Sequence, residues 1–386
     1  MTADTSGRGK RVLLSASLLA GVLGSIHAFS VFLEPLETQF QASRGMVSLT
    51  YSMALAALTL AVLSGHRVFA LLPPGRLVVA ICAVAAAGAV VAAFAPTLPV
   101  VWLGYSLLFG GANGFGYGFG LQIAAQANPG REGFAMGMVT AAYGAGAAVS
   151  PALLSWAVDT GGMRAAMLGL AMAIAAVAPV SGVLIARSGV AFQAAIGTRR
   201  VRLPGWPVAL LWLGYGAGAA AGLMAIGHAA GIAGSAGLAG MRWLAPVVIA
   251  VCNMCGSFSG GWLSDRMAPG RLLAGLPMVS AACLVTLASA SEIGLALLCL
   301  GGIGFTYGAI IAAYPAAIAK RFGPVESARA YGRVFTAWGL AGLGAPWLAG
   351  VLYDRTGGYV LALLAAALLA LVSTLAAVAL LRRATH

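Results

Sequence analysis

The stretch Tyr331-Gly-Arg-Val-Phe-Thr-Ala-Trp-Gly-Leu-Ala-Gly-Leu-Gly-Ala-Pro346 is followed eight residues later by Asp354. Earlier in the chain, Gly137-Met-Val-Thr-Ala-Ala-Tyr-Gly-Ala-Gly-Ala-Ala-Val-Ser-Pro151 is followed eight residues later by Asp159. Gly137 and Gly332, Tyr143 and Trp338, Pro151 and Pro346, and Asp159 and Asp354 each stand 195 residues apart. The chain is built from two copies of one pattern.

Composition sets the solvent in which that duplication lives. Charged residues are 8% and hydrophobic ones 61% of the 386 residues, whereas a soluble domain carries about 25% charged residues. A helix crosses a bilayer in about 20 apolar residues. Runs of this kind cover 12–34, 45–70, 76–95, 98–127, 133–157, 163–187, 206–231, 240–264, 271–289, 292–319, 330–353 and 358–381, spans 1 to 12 in chain order. The expected fold is all-α and polytopic, with twelve transmembrane helices in two pseudo-symmetric six-helix halves. The expected boundaries are a tail over 1–11, an N-terminal half over 12–187, a linker over 188–205, a C-terminal half over 206–381 and a short tail over 382–386.

A formal charge of +13 invites a nucleic-acid partner, but the placement of the basic residues argues against one. Of 22 Lys and Arg, only Arg44, Arg164, Arg242 and Arg355 fall on the side opposite the N-terminus. By the positive-inside rule both termini are expected in the cytoplasm. The basic residues of 1–11 are expected to be disordered, and span 1, which lacks a small-residue cleavage site, to be retained rather than removed as a signal peptide. All five cysteines, Cys82, Cys252, Cys255, Cys283 and Cys299, lie inside spans, where small apolar core thiols are expected rather than disulfides.

Polar side chains inside spans are the candidates for function, because lipid gives them no partner. In span 1, His27, Ser30 and Glu34 share one helical stripe, and Pro35 places Glu34 near the outer interface as a solvated helix-end carboxylate. His27 lies deeper, where it serves either a substrate pathway or the core. Asn113 and Tyr117 share a face of span 4, as do Tyr307 and Tyr314 of span 10, and both faces should look inward. The glycines around them, Gly114-Phe-Gly-Tyr-Gly118 and Gly304-Phe-Thr-Tyr-Gly308, are expected to serve close helix packing.

The span 8–9 loop reads Gly260-Gly-Trp-Leu-Ser-Asp-Arg266, then Pro269-Gly-Arg271. This resembles the signature loop of the major facilitator superfamily, in which an Asp-Arg pair clasps neighbouring helix ends on the cytoplasmic side. One repeat earlier, Ala70 and Leu71 stand where the second copy has Asp265 and Arg266, although Pro74-Gly-Arg76 is kept. The resemblance implies a latch of Asp265, Arg266 and Arg271 in the second copy and none in the first. Within the superfamily, Phe29-Ser-Val-Phe-Leu33, Tyr331-Gly332 and Phe335-Thr-Ala-Trp-Gly339 resemble the oxalate/formate antiporter and bacterial monocarboxylate transporter branch. That branch implies a bacterial inner (plasma) membrane.

Two departures bear on substrate. Oxalate/formate antiporters carry an Arg at the position of Ser257, four residues after an Asn matched here by Asn253, and a Lys at the position of Trp338. With both cations absent, a dicarboxylate has no partner at bilayer depth. The resemblance therefore implies a secondary transporter of a monocarboxylate or a neutral or aromatic compound rather than a dicarboxylate, with a small molecule and the lipid bilayer as its partners. Catalytic residues, cofactor, resident metal and enzyme activity are not expected, nor are nucleic-acid partners, and the chain is expected to be a monomer. The substrate-binding candidates are His27, Asn113, Tyr117, Tyr143, Asn253, Ser257, Tyr307, Tyr314 and Trp338. No Gly-Lys-Ser/Thr phosphate loop occurs, so ATP drive is not expected. Proton coupling would fall to His27, Glu34 or His228, histidine having an ordinary pKa of about 6.5.

Two alternatives stand beside this reading. Met224 and His228 share a helical face, and Cys252, Met254 and Cys255 follow on the next span, soft ligands that suit Cu(I). A copper-importing branch of the superfamily carries comparable Met/His pairs. A membrane sensor that transports nothing is the other.

Overall fold

The computed structural model describes residues 2–42, 44–193, 205–235, 244–290 and 292–382, which form helices and turns with no strand among them. The expected linker over 188–205, the tail over 382–386 and the start of the run over 240–264 therefore lie largely outside the described residues. Helix is the required outcome for such a sequence, since lipid leaves every backbone N–H and C=O to be satisfied within its own segment.

Ten described helices are long and apolar enough to cross a membrane. One of them, Glu132–Ala186, holds spans 5 and 6, which part at Gly162, where φ is 73°. The run over 98–127 is divided into Leu98–Val101, a π-type segment Trp102–Phe109 and Gly110–Ala127, and no piece is both long and apolar enough by itself. With span 6 and span 4 counted, the twelve spans are complete.

The repeat is written into the helix ends. Pro74–Ala93 and Pro269–Ala288 are both 20 residues long, each with proline at its start, and their bounds lie one repeat apart. The next helices begin at Leu98 and at Ile293, again one repeat apart. Gly162 and Gly357, also paired by the repeat, both have positive φ, 73° and 70°, a conformation that a side chain disfavours. This is a two-fold repeated all-α architecture, as the sequence pattern implies.

Three local differences from the sequence reading have physical reasons. The basic N-terminus is helical rather than disordered: Thr2–Leu23 is one helix, and Asn128 Nδ2 donates to the Gly9 carbonyl at 3.4 Å. Span 1 then tightens into a 3₁₀ segment, Gly24–Phe32, which rotates its side chains relative to an α-helix. Span 7 is not one helix over 206–231; Gly205–Ile226 ends before Gly227 and His228, and Ala229–Ser235 follows.

Two compact units divide the chain. The first comprises Met1–Pro129, Ala142–Ile196 and Pro324–Gly332, and the second Gly130–Ala141, Gly197–Gly323 and Arg333–His386. Within the second unit the start of span 5 packs on span 8: a Cβ on Gly137 would lie 2.9 Å from the Ser257 carbonyl oxygen. Within the first, the start of span 11 packs on span 2: a Cβ on Gly332 would lie 2.7 Å from the Val62 carbonyl oxygen. Both members of these two contacts are related by the repeat. Glycine lets the backbones meet, which is how helices associate when lipid supplies no hydrophobic drive between them.

Candidate functional site

In the first unit four spans bring polar and aromatic groups together. Gly24 starts the 3₁₀ segment where span 1 lies against the backbone carbonyl of Tyr143, leaving no room for a Cβ. Three residues on, His27 Nδ1 and the Tyr51 hydroxyl of span 2 are hydrogen-bonded at 2.7 Å. The His27 ring stands edge-on to Tyr143, 5.5 Å between centroids, and Tyr143 lies 4.7 Å from Tyr117. The Tyr143 hydroxyl donates to Asn113 Oδ1 at 2.9 Å, while Asn113 Nδ2 donates to the Leu23 carbonyl at 2.5 Å. Asn113 and Tyr117 are buried, whereas His27, Tyr51 and Tyr143 are half-buried. Thus His27, Asn113, Tyr117 and Tyr143 form one network in which buried Asn113 orients the Tyr143 ring.

The second unit builds an indole-centred counterpart. Trp338 Nε1 donates to the Tyr307 hydroxyl at 3.0 Å, and the indole stacks on Phe335, one helical turn away, at 5.1 Å and 21°. Trp338 and Tyr143 are repeat partners, and each hydrogen-bonds the preceding span. Asn253 and Ser257 meet span 10 at Gly308, whose missing side chain makes room for the Asn253 carbonyl. The buried Ser257 hydroxyl donates to the Gly308 carbonyl at 3.2 Å and reaches Asn253 Oδ1 at 3.5 Å.

Tyr314 is 1% exposed and packs on Tyr215, 4.8 Å between centroids, and Tyr215 in turn lies 6.4 Å from the Phe335 ring that stacks on Trp338. It tightens spans 7 and 10, and a Cβ on Gly214 would run into its hydroxyl. His228 sits in the break of span 7, where Nε2 donates to the Pro346 carbonyl at 2.9 Å. The Glu34 side chain lies outside the described residues.

The soft ligands are dispersed. Met224 is buried in an apolar cluster with Ala221, Ala225 and Leu300, and His228 is turned to Pro346. Cys252 faces Gly301, and Cys255 is exposed rather than part of the core. Among the described residues no three His, Cys, Asp or Glu side chains are grouped to hold a metal ion, and all five thiols are free.

The latch has a defined geometry in the second unit. Asp265 Oδ1 accepts from the Gly133 amide and Oδ2 from the Phe134 amide, both at 2.8 Å, so its carboxylate caps the first turn of the helix Glu132–Ala186. An anion at a helix N-terminus satisfies free amides and meets the positive end of the helix dipole. Arg266 is turned away, 3.8 Å over the Trp262 ring, and Lys320 Nζ donates to the Ser264 carbonyl.

Some participants are missing from the sequence-based candidates. Tyr51 holds His27, and Phe29 stacks on Tyr51 at 5.6 Å and 6°. Phe335 was legible, because its spacing of three from Trp338 places both on one face. Tyr51 gave no comparable signal, since its partner is on another helix.

Solved structures share this architecture. The chain is similar over 96% of its length to the proton:xylose symporter XylE, a major facilitator superfamily protein bound to 6-bromo-6-deoxy-D-glucose, with 95% of that chain covered, a TM-score of 0.76 and 13% identity. It is also similar to the major facilitator superfamily transporter FucP in the outward conformation, over 96% of this chain and 97% of that one, with a TM-score of 0.71 and 18% identity. The E. coli fucose:proton symporter FucP in variant form matches over 96% and 99% of the two chains, with a TM-score of 0.66 and 16% identity. No family model and no curated protein matches the sequence. The likeness at these identities is one of fold, and that fold is the major facilitator fold.

Proposed function

We propose that this chain, built on the major facilitator fold, is a secondary transporter that works by alternating access and carries a monocarboxylate or an uncharged, sugar-like or aromatic metabolite. The observation that carries the reading is that each unit presents an aromatic cluster with hydrogen-bonding groups, with no Lys, Arg, Asp or Glu among the contacts described: His27, Tyr51, Asn113 and Tyr143 in one, Trp338, Tyr307 and Phe335 in the other. Tyrosine and tryptophan offer apolar faces with a polar tip, and asparagine adds a donor and an acceptor together, the chemistry that holds rings and hydroxyl groups. The neighbours are named as symporters of xylose and fucose, which are neutral sugars, and this supports the uncharged half of the reading.

A dianion is disfavoured on the same ground. Removing it from water costs several kcal/mol per charge, and neither Ser257 nor Trp338 offsets that cost. The dispersal of Met224, His228 and the cysteines likewise gives a soft-metal reading no support. Proton coupling, within this proposal, runs through His27, whose ring nitrogen already shares a hydrogen bond with Tyr51.

The test is a thermal-shift panel of monocarboxylates, neutral sugars, aromatic metabolites and oxalate on the purified protein, followed by uptake of each hit into proteoliposomes. A ligand that binds the native state raises its apparent stability. Saturable uptake of a monocarboxylate or neutral hit is the expected result. Robust saturable oxalate uptake would overturn the charge argument, and hits with no uptake would favour the sensor.

A further inference from the structure

In the first unit, spans 3 and 6 leave a groove of about 910 Å³, with Pro74, Arg76 and Val79 on one wall and Pro179, Val183 and Ala186 on the other. Every residue lining it except Arg76 is apolar, and no carboxylate faces that guanidinium from the lining. Val79 and Val183 are 43% and 47% exposed, so the groove presents valine rather than polar side chains to its surroundings. Beyond its Ala186 wall, Arg11 Nη1 donates to the Arg187 carbonyl at 3.1 Å, so Arg11 and Arg187 add positive charge at the same end of the unit.

The repeat explains why the groove is open. In the second unit, Pro269, Gly270 and Arg271 stand where the first has Pro74, Gly75 and Arg76, but Leu381 replaces Ala186. A Cβ on Gly270 would meet the Leu381 side chain, with Cδ1 at 2.9 Å, so that leucine lies across the glycine. On Gly75 the nearest side-chain atom is the Ala186 methyl, at 3.0 Å. One short side chain leaves open in one unit the space that leucine fills in the other.

We propose that this groove is a binding site for an anionic phospholipid, with one acyl chain lying between Val79 and Val183 and the headgroup phosphate paired with Arg76. The apolar walls match a hydrocarbon chain. A guanidinium with no carboxylate beside it in the lining matches a phosphate, to which it donates two parallel hydrogen bonds. A zwitterionic lipid carries its own cation and gains less from the arginines.

Native mass spectrometry and thermal shift of the full-length protein in detergent micelles test this, with phosphatidylglycerol, phosphatidylcholine and inorganic phosphate as probes. The expected result is one retained phosphatidylglycerol and a rise in the unfolding midpoint, with neither effect from phosphatidylcholine or phosphate. Arg76→Gln should weaken apparent affinity about fivefold. Ala186→Leu, which copies the arrangement that the other unit already accommodates, should remove retention while leaving the lipid-free midpoint near wild type. Equal retention by wild type and Ala186→Leu would overturn the proposal. So would equal retention of phosphatidylcholine, which would make the groove a general acyl cleft, or a phosphate-induced rise matching that of the lipid, which would make it an ion site. If Ala186→Leu does not fold, undiminished affinity in Arg76→Gln overturns it instead.

Discussion

The two units share helix ends and a glycine contact one repeat apart, and diverge in side chains. Span 5 meets span 8 through Gly137 and Ser257, and span 11 meets span 2 through Gly332 and Val62, the same contact twice. Yet Asp265 caps a helix in the second unit where the first has Ala70, Trp338 replaces Tyr143, and Leu381 fills the space that Ala186 leaves open. Backbone contact admits only glycine, so both copies are held there. Where side chains rather than backbones meet, sterics allow many residues, and the copies have separated.

The largest expected effect breaks that matched contact. Gly137→Val and Gly332→Val each push a side chain into a backbone that has no room for a Cβ, and each should cost about 3 kcal/mol or more. Recovery of monodisperse protein and the unfolding midpoint should fall in both variants to a similar degree. A large loss in one with none in the other would show that the repeat does not extend to packing.

The fold was legible because its determinants are local or periodic: apolar runs, Pro74 and Pro269 at helix starts, and glycines spaced by the repeat. Asp265 was legible as a clasp for a helix end, but not which end, since Gly133 and Phe134 are more than 130 residues away. The arrangement of the candidate site was legible only in part. Asn113 and Tyr117 were found by shared face, whereas the Tyr51 to His27 hydrogen bond depends on how two helices are rotated. Tyr314 shares a face with Tyr307, and the neighbours it meets there are Tyr215 and Gly214 of span 7. Periodicity gives the buried side of a helix, but not which buried neighbour waits there.

Next in size is the contrast between the two aromatic clusters. Trp338→Ala removes the stack on Phe335 and the hydrogen bond to Tyr307, and uptake of the true substrate should fall tenfold or more, since a well-placed aromatic contact and a hydrogen bond are each worth about 1 kcal/mol. Tyr143→Phe keeps the ring and deletes the hydroxyl with its bond to Asn113, so a loss of about fivefold is expected. Kinetics of uptake in proteoliposomes read both. The reverse order would move the main substrate contact to the first unit. An unchanged tryptophan fluorescence quench in Trp338→Ala during titration would remove the indole from the site.

His27 has no histidine partner in the second unit, since Gly222 stands one repeat later, and it tests whether coupling belongs to one unit alone. His27→Gln should abolish accumulation driven by a pH gradient while substrate exchange at equal pH persists. Pro346 already accepts from His228, which ties that ring to a structural role, so His228→Gln should lower stability without altering the pH dependence. If pH-driven accumulation survives in His27→Gln, the histidine is part of the scaffold and uniport becomes the better account.

The smallest effects concern the latch and its absence. In Asp265→Asn one side-chain oxygen remains to accept an amide, while the carboxamide nitrogen cannot, so one of Gly133 and Phe134 loses its partner and the helix end loses an anion. Loss of a helix cap costs about 1 kcal/mol, which should appear as a small fall in the unfolding midpoint and greater labelling of cysteines introduced near Gly133. Ala70→Asp is the converse, supplying the first unit with the carboxylate it lacks one repeat before Asp265. Its effect should be about 0.5 kcal/mol in either direction, because the start of span 11 already has Ser327 bonded to Gln122 at 2.7 Å and Glu326 paired with Arg329 at 3.6 Å. Uptake rates of the two variants, measured side by side, decide what the asymmetry is for. If Asp265→Asn slows uptake and Ala70→Asp leaves it unchanged, a single latch suffices. If Ala70→Asp also slows uptake, the missing charges keep the first unit's helix end free to move during transport.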